Sequence, residues 1–542
     1  MKNLKYFLII IFVVSVSCEN LFDEPVYSFR TKETAFETEG STNAVLLGMY
    51  KSMQDYNYLS GHYHQTLDFN SALLTRRAGG ETEFAQLRQI PNSVWTEKIY
   101  AAIYGAIAQS NTILFVADST SQDTIINNAR GQAYFLRALH YFNLVRIWGP
   151  VPIITIPPAS VEETYVPRAK SVDDVYDVII SDLHNAYSNL TVTQSNKLAP
   201  KKMAAYALLA KVYAQLASMC EDKEAFGMQT TTDKTTYWEL ARDYADSVIQ
   251  SPAYFLEEDY STLFDLNNEF TEESIFEVGF SNVADGVGAA FTHMMVPQKS
   301  GWSANGTGGW GRIVCTREMY DTVFSVTGGR DARLETNIAH QYTRIDAKVT
   351  VSYPELGKGT ADVYLTYPTF QKYKDPNGLN NNTHANNFIY LRLADILLTY
   401  AEAMNELNGP IAATITPVNE LLRRSRNSTG GSAIPADIVL GQYTSTEAFR
   451  ARIMTERLAE LMGEGHEWYD ARRRGRAYFK SICENHNARL DLAKTQGVFK
   501  AASDFYFETD DFSVRRNLWL PIPSAEISTN EALGLGDQNF GY

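Results

Sequence analysis

The sequence predicts a mainly α-helical protein in which helices pack in pairs, with long ordered loops and a few short β-strands. Apolar residues recur at helical spacing through residues 95–250 and again through residues 388–462. Between them, residues 252–387 lose this periodicity and become rich in Gly and Asn. Hydrophobic residues make up 45% and charged residues 20% of the chain, which is typical of a globular protein.

The first seventeen residues have the order of a secretory signal peptide. Lys2 and Lys5 precede an apolar run over residues 6–14, and small residues then lead to Cys18. The run is shorter than the roughly 20 residues that a membrane-spanning helix needs. Val16-Ser17-Cys18 resembles the lipobox of bacterial lipoproteins, so we expect removal of residues 1–17 and lipidation of Cys18. A plain signal peptide cleaved elsewhere is the alternative.

Residues 18–30 are predicted to be an acylated tether, with acidic residues after Cys18. The remaining chain, residues 31–542, is predicted to form a single domain. We divide it into an N-terminal helical half (31–251), a region of loops and short strands (252–387), and a C-terminal helical half with its tail (388–542).

The N-terminal half contains recurring helical patterns. In one of them Ala205, Leu208, Leu209, Val212 and Leu216 lie on one face of a helix. The recurrence near 34 residues resembles tetratricopeptide repeats. The predicted helices cover residues 34–53, 95–116, 127–148, 171–190, 201–219 and 237–250.

The other segments follow from the same patterns. Residues 56–91 predict a long ordered loop with short helical pieces, and such loops are more often functional than not. Strands are predicted over 273–280 and within 349–374, and an Asn-rich loop over 375–387. The final predictions are helices over 388–407, 417–426 and 446–462, followed by an extended tail over 518–542.

Charge and cysteine content exclude several classes of function. The formal charge is −15, and loss of Lys2 and Lys5 leaves 46 basic against 63 acidic residues, a net charge of −17. Nucleic acid is therefore not an expected partner, because it rewards dense Lys and Arg. Cys220, Cys315 and Cys483 are far apart, so at most one disulfide is possible and a zinc site is not expected.

Catalytic and metal-binding patterns are weak. Residues 464–474 combine Glu464, His466, Glu467 and Asp470 with three arginines, but we interpret this cluster as structural, with buried ion pairs. His62 and His64 lack a third ligand at a fitting spacing, and residues 375–382 lack the spacing of a calcium loop. No catalytic residue, metal site or cofactor is predicted.

The candidate ligand-binding residues are aromatic and polar side chains in the irregular segments. Sugar rings stack on flat aromatic side chains while neighbouring amides and charges bind their hydroxyls. Trp95 opens a helix and is interpreted as structural. The candidates are Trp302, Trp310, Asn305 and Arg312 in the Gly-rich stretch, and Tyr63, Asp68 and Arg76 in the 56–91 segment.

Four blocks in order carry a family resemblance. They are AYFLRALHYFNLVRIWGPVP at 133–152, YLRLADILLTYAEAMNELN at 390–408, ERLAELMGEGHEWYDARRR at 456–474, and the tail LWLPIPSAEI at 518–527 followed by QNFGY at 538–542. Together, behind a lipobox, they resemble the SusD/RagB family of surface lipoproteins of glycan-foraging bacteria. The resemblance implies an α-superhelix of four tetratricopeptide-like units decorated by loops and short strands.

The resemblance also implies a function. Members capture a nutrient, usually an oligosaccharide, and close over a SusC-like TonB-dependent transporter. The implied location is the outer membrane, through the lipid on Cys18, and acidic residues after that cysteine resemble an export signal for the cell exterior. Peptide uptake within the same family, a surface glycoside hydrolase and a scaffold that binds only protein stay as alternatives. We expect a binding protein and not an enzyme.

Overall fold

The computed structural model describes residues 36, 38–76, 82–118, 123–283, 287–353, 367–495 and 506–542. The predicted signal peptide, Cys18 and the tether lie outside the described residues. The predicted mainly helical fold with a few short strands is confirmed.

The N-terminal half contains eight helices and one strand among the described residues. They are α1 Glu39–Met53, α2 His62–Phe69, β1 Leu74–Arg76, α3 Thr82–Ala85, α4 Val94–Asp118, α5 Thr124–Trp148, α6 Val172–Asn189, α7 Lys202–Met219 and α8 Lys234–Ile249.

The rest of the described chain alternates short strands with helices. In order these are β2 Ser274–Val278, α9 Ala290–Met295, β3 Ile313–Cys315, α10 Arg317–Thr327, α11 Ala332–Asn337, β4 Gln341–Thr343, β5 Thr350–Ser352, β6 Phe388–Arg392, α12 Leu393–Asn408, α13 Ala412–Asn427, α14 Thr446–Glu460, α15 Glu467–Arg472, α16 Arg476–Thr495, α17 Asp511–Arg516 and α18 Ser524–Thr529.

The helices pack in a continuous series. Helices α4, α5, α6, α7 and α8 each pack on the next, α8 packs on α12, and α13 and α14 both pack on α12. Local signals fix several ends: the Ser171 side chain accepts from the backbone of Asp174 at the start of α6, and Asp123 and Asp233 cap α5 and α8. The irregular region 252–387 is therefore inserted between two helices that pack side by side.

Part of the predicted helix over 388–407 is wrong. Its first five residues form strand β6, which pairs antiparallel with β2 through Val278 and Phe388 and through Glu277 and Ile389. All five residues of β6 are buried. A short apolar run that is buried on every side has no periodicity that separates strand from helix, so only the partner strand decides.

Other boundaries also differ from the sequence prediction. Helix α13 begins at Ala412, and Pro417 lies inside it instead of starting it. The tail predicted as extended over 518–542 contains α18. It does lie along the body: the Leu520 amide donates to the carbonyl of Ile147 (2.8 Å), and Trp148 Nε1 donates to the carbonyl of Pro521 (3.1 Å).

The polar block over 464–474 is buried, as its structural interpretation expects. The Arg392 guanidinium contacts Glu273 (2.8 Å), Glu460 (2.7 Å) and Glu464 (2.8 Å). Buried charges of this kind are tolerated only when each is paired and hydrogen-bonded. The cluster joins β2, β6 and α14 beneath the loops.

Among the described residues, Cys220, Cys315 and Cys483 are free thiols. Cys315 and Cys483 are fully buried, whereas Cys220 is half-buried. Burial raises the pKa of the Cys315 thiol well above its usual range.

Candidate functional site

An aromatic surface lies where α4 meets the irregular region. We define it by Tyr56, His62, Trp95, Trp310 and Arg312. The His62 ring lies between two others, with its centroid 4.4 Å from that of Tyr56 and 3.5 Å from that of Trp95, both edge to face. Tyr56 and Trp95 are half-buried, so each presents part of its ring to solvent.

Arg312 connects the two sides of this surface. Its Nη1 donates to Oε1 of Gln65 (3.3 Å), and its guanidinium carbon lies 5.1 Å from the centre of the Trp310 ring. Burial, with help from Lys98 and Arg312, lowers the pKa of His62 to about 3. His62 is therefore neutral at physiological pH, and the cationic group of the surface is Arg312.

Trp310 is fixed from behind by His293. The two ring centroids are 4.8 Å apart, edge to face, and the Trp310 amide donates to the His293 carbonyl (2.6 Å). Trp310 and Arg312 are both half-buried. The sequence-predicted pair Trp310 and Arg312 is thus brought together with Trp95, which sequence reasoning had assigned to structure alone.

Trp302 belongs to a second, smaller contact group. Its ring packs on Ala339, Tyr342 and Val351, and the Tyr342 centroid is 5.7 Å away. Lys374 Nζ lies 3.9 Å from the ring centre, which is a cation–π contact, and burial lowers the pKa of this lysine. Trp302 is half-buried, so stacking on a ligand uses the part of the ring that Lys374 and Tyr342 leave uncovered.

The glycines near Trp310 serve loop packing. A Cβ on Gly309 would collide with the backbone of Val296, and one on Gly308, which has a φ of +94°, would lie 2.9 Å from the Cα of Lys299. These two glycines therefore let the loop fold tightly on itself.

Asn305 ties this loop to the Asn-rich loop. Its side-chain Nδ2 donates to the carbonyl of Leu379, and its backbone amide donates to the carbonyl of Gly378, both at 2.8 Å. Asn305 is exposed, but its side-chain nitrogen already donates one hydrogen bond within the protein.

A buried chain of polar side chains holds the two loops together. Ser303 Oγ lies 2.7 Å from Nδ1 of His293 and 3.1 Å from Nε2 of His384. His384 Nδ1 is 3.6 Å from Oδ2 of Asp375. The order Ser, His, Asp matches a hydrolase triad. Here, however, Ser303, His384 and Asp375 are all 0% exposed, so a substrate has no access to the hydroxyl.

Tyr63, Asp68 and Arg76 do not lie on a ligand-accessible surface. All eight residues of α2 are buried, and Arg76 in β1 is 5% exposed. The Tyr63 hydroxyl contacts the hydroxyl of Tyr469 (2.6 Å) and donates to Oδ1 of Asn143 (3.0 Å). These side chains are buried because residues 58–76 fold into the core.

The residues that sequence reasoning missed carry weak signals in the amino-acid sequence. No sequence motif marks His62, Tyr56 or Lys374 as part of a binding site. Trp95 lies at the start of a predicted helix, where a buried aromatic side chain is common. Within the residues the structure describes, no group of three or more His, Cys, Asp or Glu side chains is arranged to hold a metal ion. The site is therefore built from aromatic rings, one arginine and one lysine.

Two protein-family models match this chain. The family model described as "SusD family" matches residues 272–542, half of the chain. A model described as "Starch-binding associating with outer membrane" matches residues 23–214.

Individual relatives align with this chain over all or nearly all of its length. SusD-like protein P2 of Formosa agariphila is 26% identical over 561 aligned positions, which cover 100% of both chains. The solved structure of a SusD homolog from Bacteroides thetaiotaomicron has a TM-score of 0.73 at 22% identity and covers 95% of this chain and 99% of the other. A structure titled "Laminarin binding SusD-like protein" has a TM-score of 0.66 at 23% identity, covering 93% and 99%. The chain therefore belongs to the SusD family.

Proposed function

We propose that this protein is a surface-exposed lipoprotein that binds an oligosaccharide on the aromatic surface and delivers it to a SusC-like TonB-dependent transporter in the outer membrane. The observation that carries the proposal is the aromatic surface itself, in which the partly exposed Tyr56 and Trp95 rings flank His62 and the partly exposed Trp310 ring lies beside Arg312. The name of the laminarin-binding relative and the starch-binding description of the matched family support a glycan as the ligand.

The chemistry of the surface suits a neutral sugar chain. Flat rings offer stacking platforms for the C–H faces of sugars, and the Arg312 guanidinium supplies donors for hydroxyl groups. His62 is neutral, so it adds no charge that a neutral ligand would leave unpaired.

Replacing the platforms tests the proposal. Trp310→Ala is expected to weaken glycan binding by about 1 to 3 kcal/mol, because a stacking platform is lost. Trp95→Ala is expected to weaken it by a similar amount, because the Trp95 ring lies on the same surface beside His62. Affinity electrophoresis on a panel of polysaccharides, followed by calorimetry on the retained glycan, measures both effects.

The matched control is Phe255→Ala, which removes an aromatic side chain that is 57% exposed outside the aromatic surface. It should leave retention unchanged. Full affinity in both tryptophan variants would contradict the site assignment. Release of new reducing ends during long incubation would instead favour a glycoside hydrolase, and retention of peptides without any glycan would favour peptide uptake.

A further inference from the structure

Two buried arginines in the core have no carboxylate partner. Arg146 on α5 is 8% exposed, and Arg472 on α15 is 3% exposed. Neither forms an ion pair with Asp or Glu in the part of the chain that the structure describes. A buried charge that is not paired with an opposite charge is costly.

The hydrogen bonds of the two guanidinium groups go to neutral atoms. Arg146 donates to the carbonyl of Phe142 (3.1 Å) and to Oδ1 of Asn143 (2.6 Å). Arg472 donates to the carbonyl of Trp468 (3.2 Å) and to the carbonyl of Arg146 (3.1 Å). Nη1 of each arginine donates no hydrogen bond within the described ranges, so both groups keep a free donor.

Aromatic rings stabilise the two arginines without neutralising them. The Arg146 guanidinium carbon lies 3.6 Å from the centre of the Tyr469 ring, and that of Arg472 lies 3.1 Å from the centre of the Trp468 ring. The faces of these rings attract cations, but the rings carry no net charge. Burial lowers the pKa of Arg472 well below its usual range, and the charge of Arg146 acts in the same direction.

The neighbouring buried charges are already matched with one another. Three cations and three carboxylates contact each other in ion pairs: Lys211, Arg457, Arg473, Asp395, Glu402 and Asp470. Burial and the charge of Lys211 lower the pKa of His466 to about 3, so this histidine is neutral at physiological pH. No carboxylate of this group is left over, and Arg146 and Arg472 therefore add two uncompensated positive charges.

Both arginines line one small cavity between α5, α6, α7 and the tail. Its volume is about 10 Å³, which is close to what one water-sized particle needs. The charged residues that line it are Arg146, Arg472 and Arg473, and no Asp or Glu does so. Gln215 on α7 also lines it, and its side-chain amide donates no hydrogen bond to the described residues.

A second cavity that Arg146 lines is less suited to a negative ligand. Its volume is about 30 Å³, but Glu402 and Asp470 line it together with the cations. Their carboxylates would repel an anion at short range.

We propose that the smaller cavity binds one small monovalent anion, a halide such as chloride, between Arg146 and Arg472. The free Nη1 groups and the Gln215 amide are the donors available to it, and hydrogen bonds between charged groups are the stronger kind. Sulfate and phosphate exceed the volume of a single water. The bound halide halves the uncompensated charge and links α5, α7 and α15, so it stabilises the folded protein by mass action.

Wild-type crystals grown in sodium bromide test the site directly, because bromide gives an anomalous X-ray signal that water does not. The expected result is an anomalous peak in the cavity within hydrogen-bond distance of both guanidinium groups. Absence of a peak at this position would overturn the proposal. The experiment needs no variant, so it does not depend on how a substituted core folds.

Thermal denaturation measures the effect on stability. The melting temperature is compared in sodium chloride and in sodium methanesulfonate at equal ionic strength, because methanesulfonate is too large for the cavity. Chloride at 0.2 M is expected to raise the melting temperature by at least about 1 °C. Equal melting temperatures in the two salts would show an adventitious ion only and would also overturn the proposal.

A variant assigns the chloride effect to the cavity. Arg472→Met removes one of the two charges and should abolish the difference between the two salts. The matched control is Arg423→Met, which removes an exposed arginine of α13 and should keep the wild-type difference. A wild-type difference in Arg472→Met would place the halide elsewhere and refute the site.

Discussion

At the scale of single residues, two buried carboxyl groups, Asp68 and Glu467, form an interacting pair. Both oxygens of Asp68 and Oε2 of Glu467 lack hydrogen-bond partners among the described residues, while Oε1 of Glu467 accepts from the amide of Gly463 (2.6 Å). Burial raises the pKa of Glu467 to about 7, and burial together with the Glu467 charge raises the pKa of Asp68 well above its usual range. The pair holds protons that the unfolded chain would release.

This pair predicts a pH dependence of stability. Because the folded-state pKa values are raised, their favourable contribution is complete below about pH 4 and is lost as the pH rises through about 7. Asp68→Asn removes one titrating group, so its free energy of unfolding should fall less between pH 5 and pH 8 than that of the wild type, by at least about 1 kcal/mol. Urea denaturation at the two pH values measures the difference.

An exposed carboxyl provides the control. Glu258→Gln changes the same charge on the surface and should follow the wild-type pH profile. A profile for Asp68→Asn that is parallel to the wild type would mean that Asp68 is ionised in the folded protein.

At the scale of elements, the contact between α5 and α6 depends on one glycine. Gly131 lies within α5, where glycine costs about 1 kcal/mol relative to alanine. A Cβ at this position would lie 2.7 Å from the backbone nitrogen of Leu190 and 3.0 Å from the carbonyl carbon of Asn189. The end of α6 therefore approaches α5 more closely than any side chain permits, which explains the glycine.

Gly131→Ala is expected to destabilise the protein by about 1 to 2 kcal/mol, because displacing the Leu190 backbone costs more than the gain in helix propensity. Gly105→Ala in α4 is the matched control: nothing lies within 4 Å of its added Cβ, so it should stabilise by up to about 1 kcal/mol. Thermal denaturation of the two variants should give changes of opposite sign. Stabilisation by both would show that α6 moves away without cost.

At the scale of the whole molecule, ion pairs connect segments that are distant in sequence. Arg424 of α13 contacts Glu273 (3.0 Å), and Lys372 contacts Glu464 (3.0 Å). Arg473 contacts Glu402 of α12 (2.6 Å). The first two pairs join the inserted region to the C-terminal half, whereas the third joins the residue after α15 to α12.

The proposed membrane attachment is a property of the whole molecule too. Cys18→Ala is expected to abolish attachment, since two or more acyl chains are needed for stable anchoring and none would be added. Affinity for soluble glycan should stay unchanged, because the aromatic surface is formed by residues from Tyr56 onward. Membrane fractionation and calorimetry on the same variant measure the two properties, and a variant that stays in the membrane fraction would contradict lipidation at Cys18.

The helical series and the family were both predictable from the amino-acid sequence alone. Apolar spacing in segments such as residues 201–219 depends only on which face of a helix is buried, so it is readable locally. The sequence also predicted that Trp302, Trp310 and Arg312 lie outside regular helices, because the surrounding stretch is rich in glycine.

Which candidate side chains reach solvent could not be predicted in this way, because it depends on contacts between distant segments. Tyr63 is buried because it meets Tyr469, which is 406 positions away in sequence, and β6 is a strand because β2 lies beside it. Trp95 joins the candidate site because the 56–62 segment folds against it. Local periodicity carries no information about such distant partners, and exposure is set by those partners.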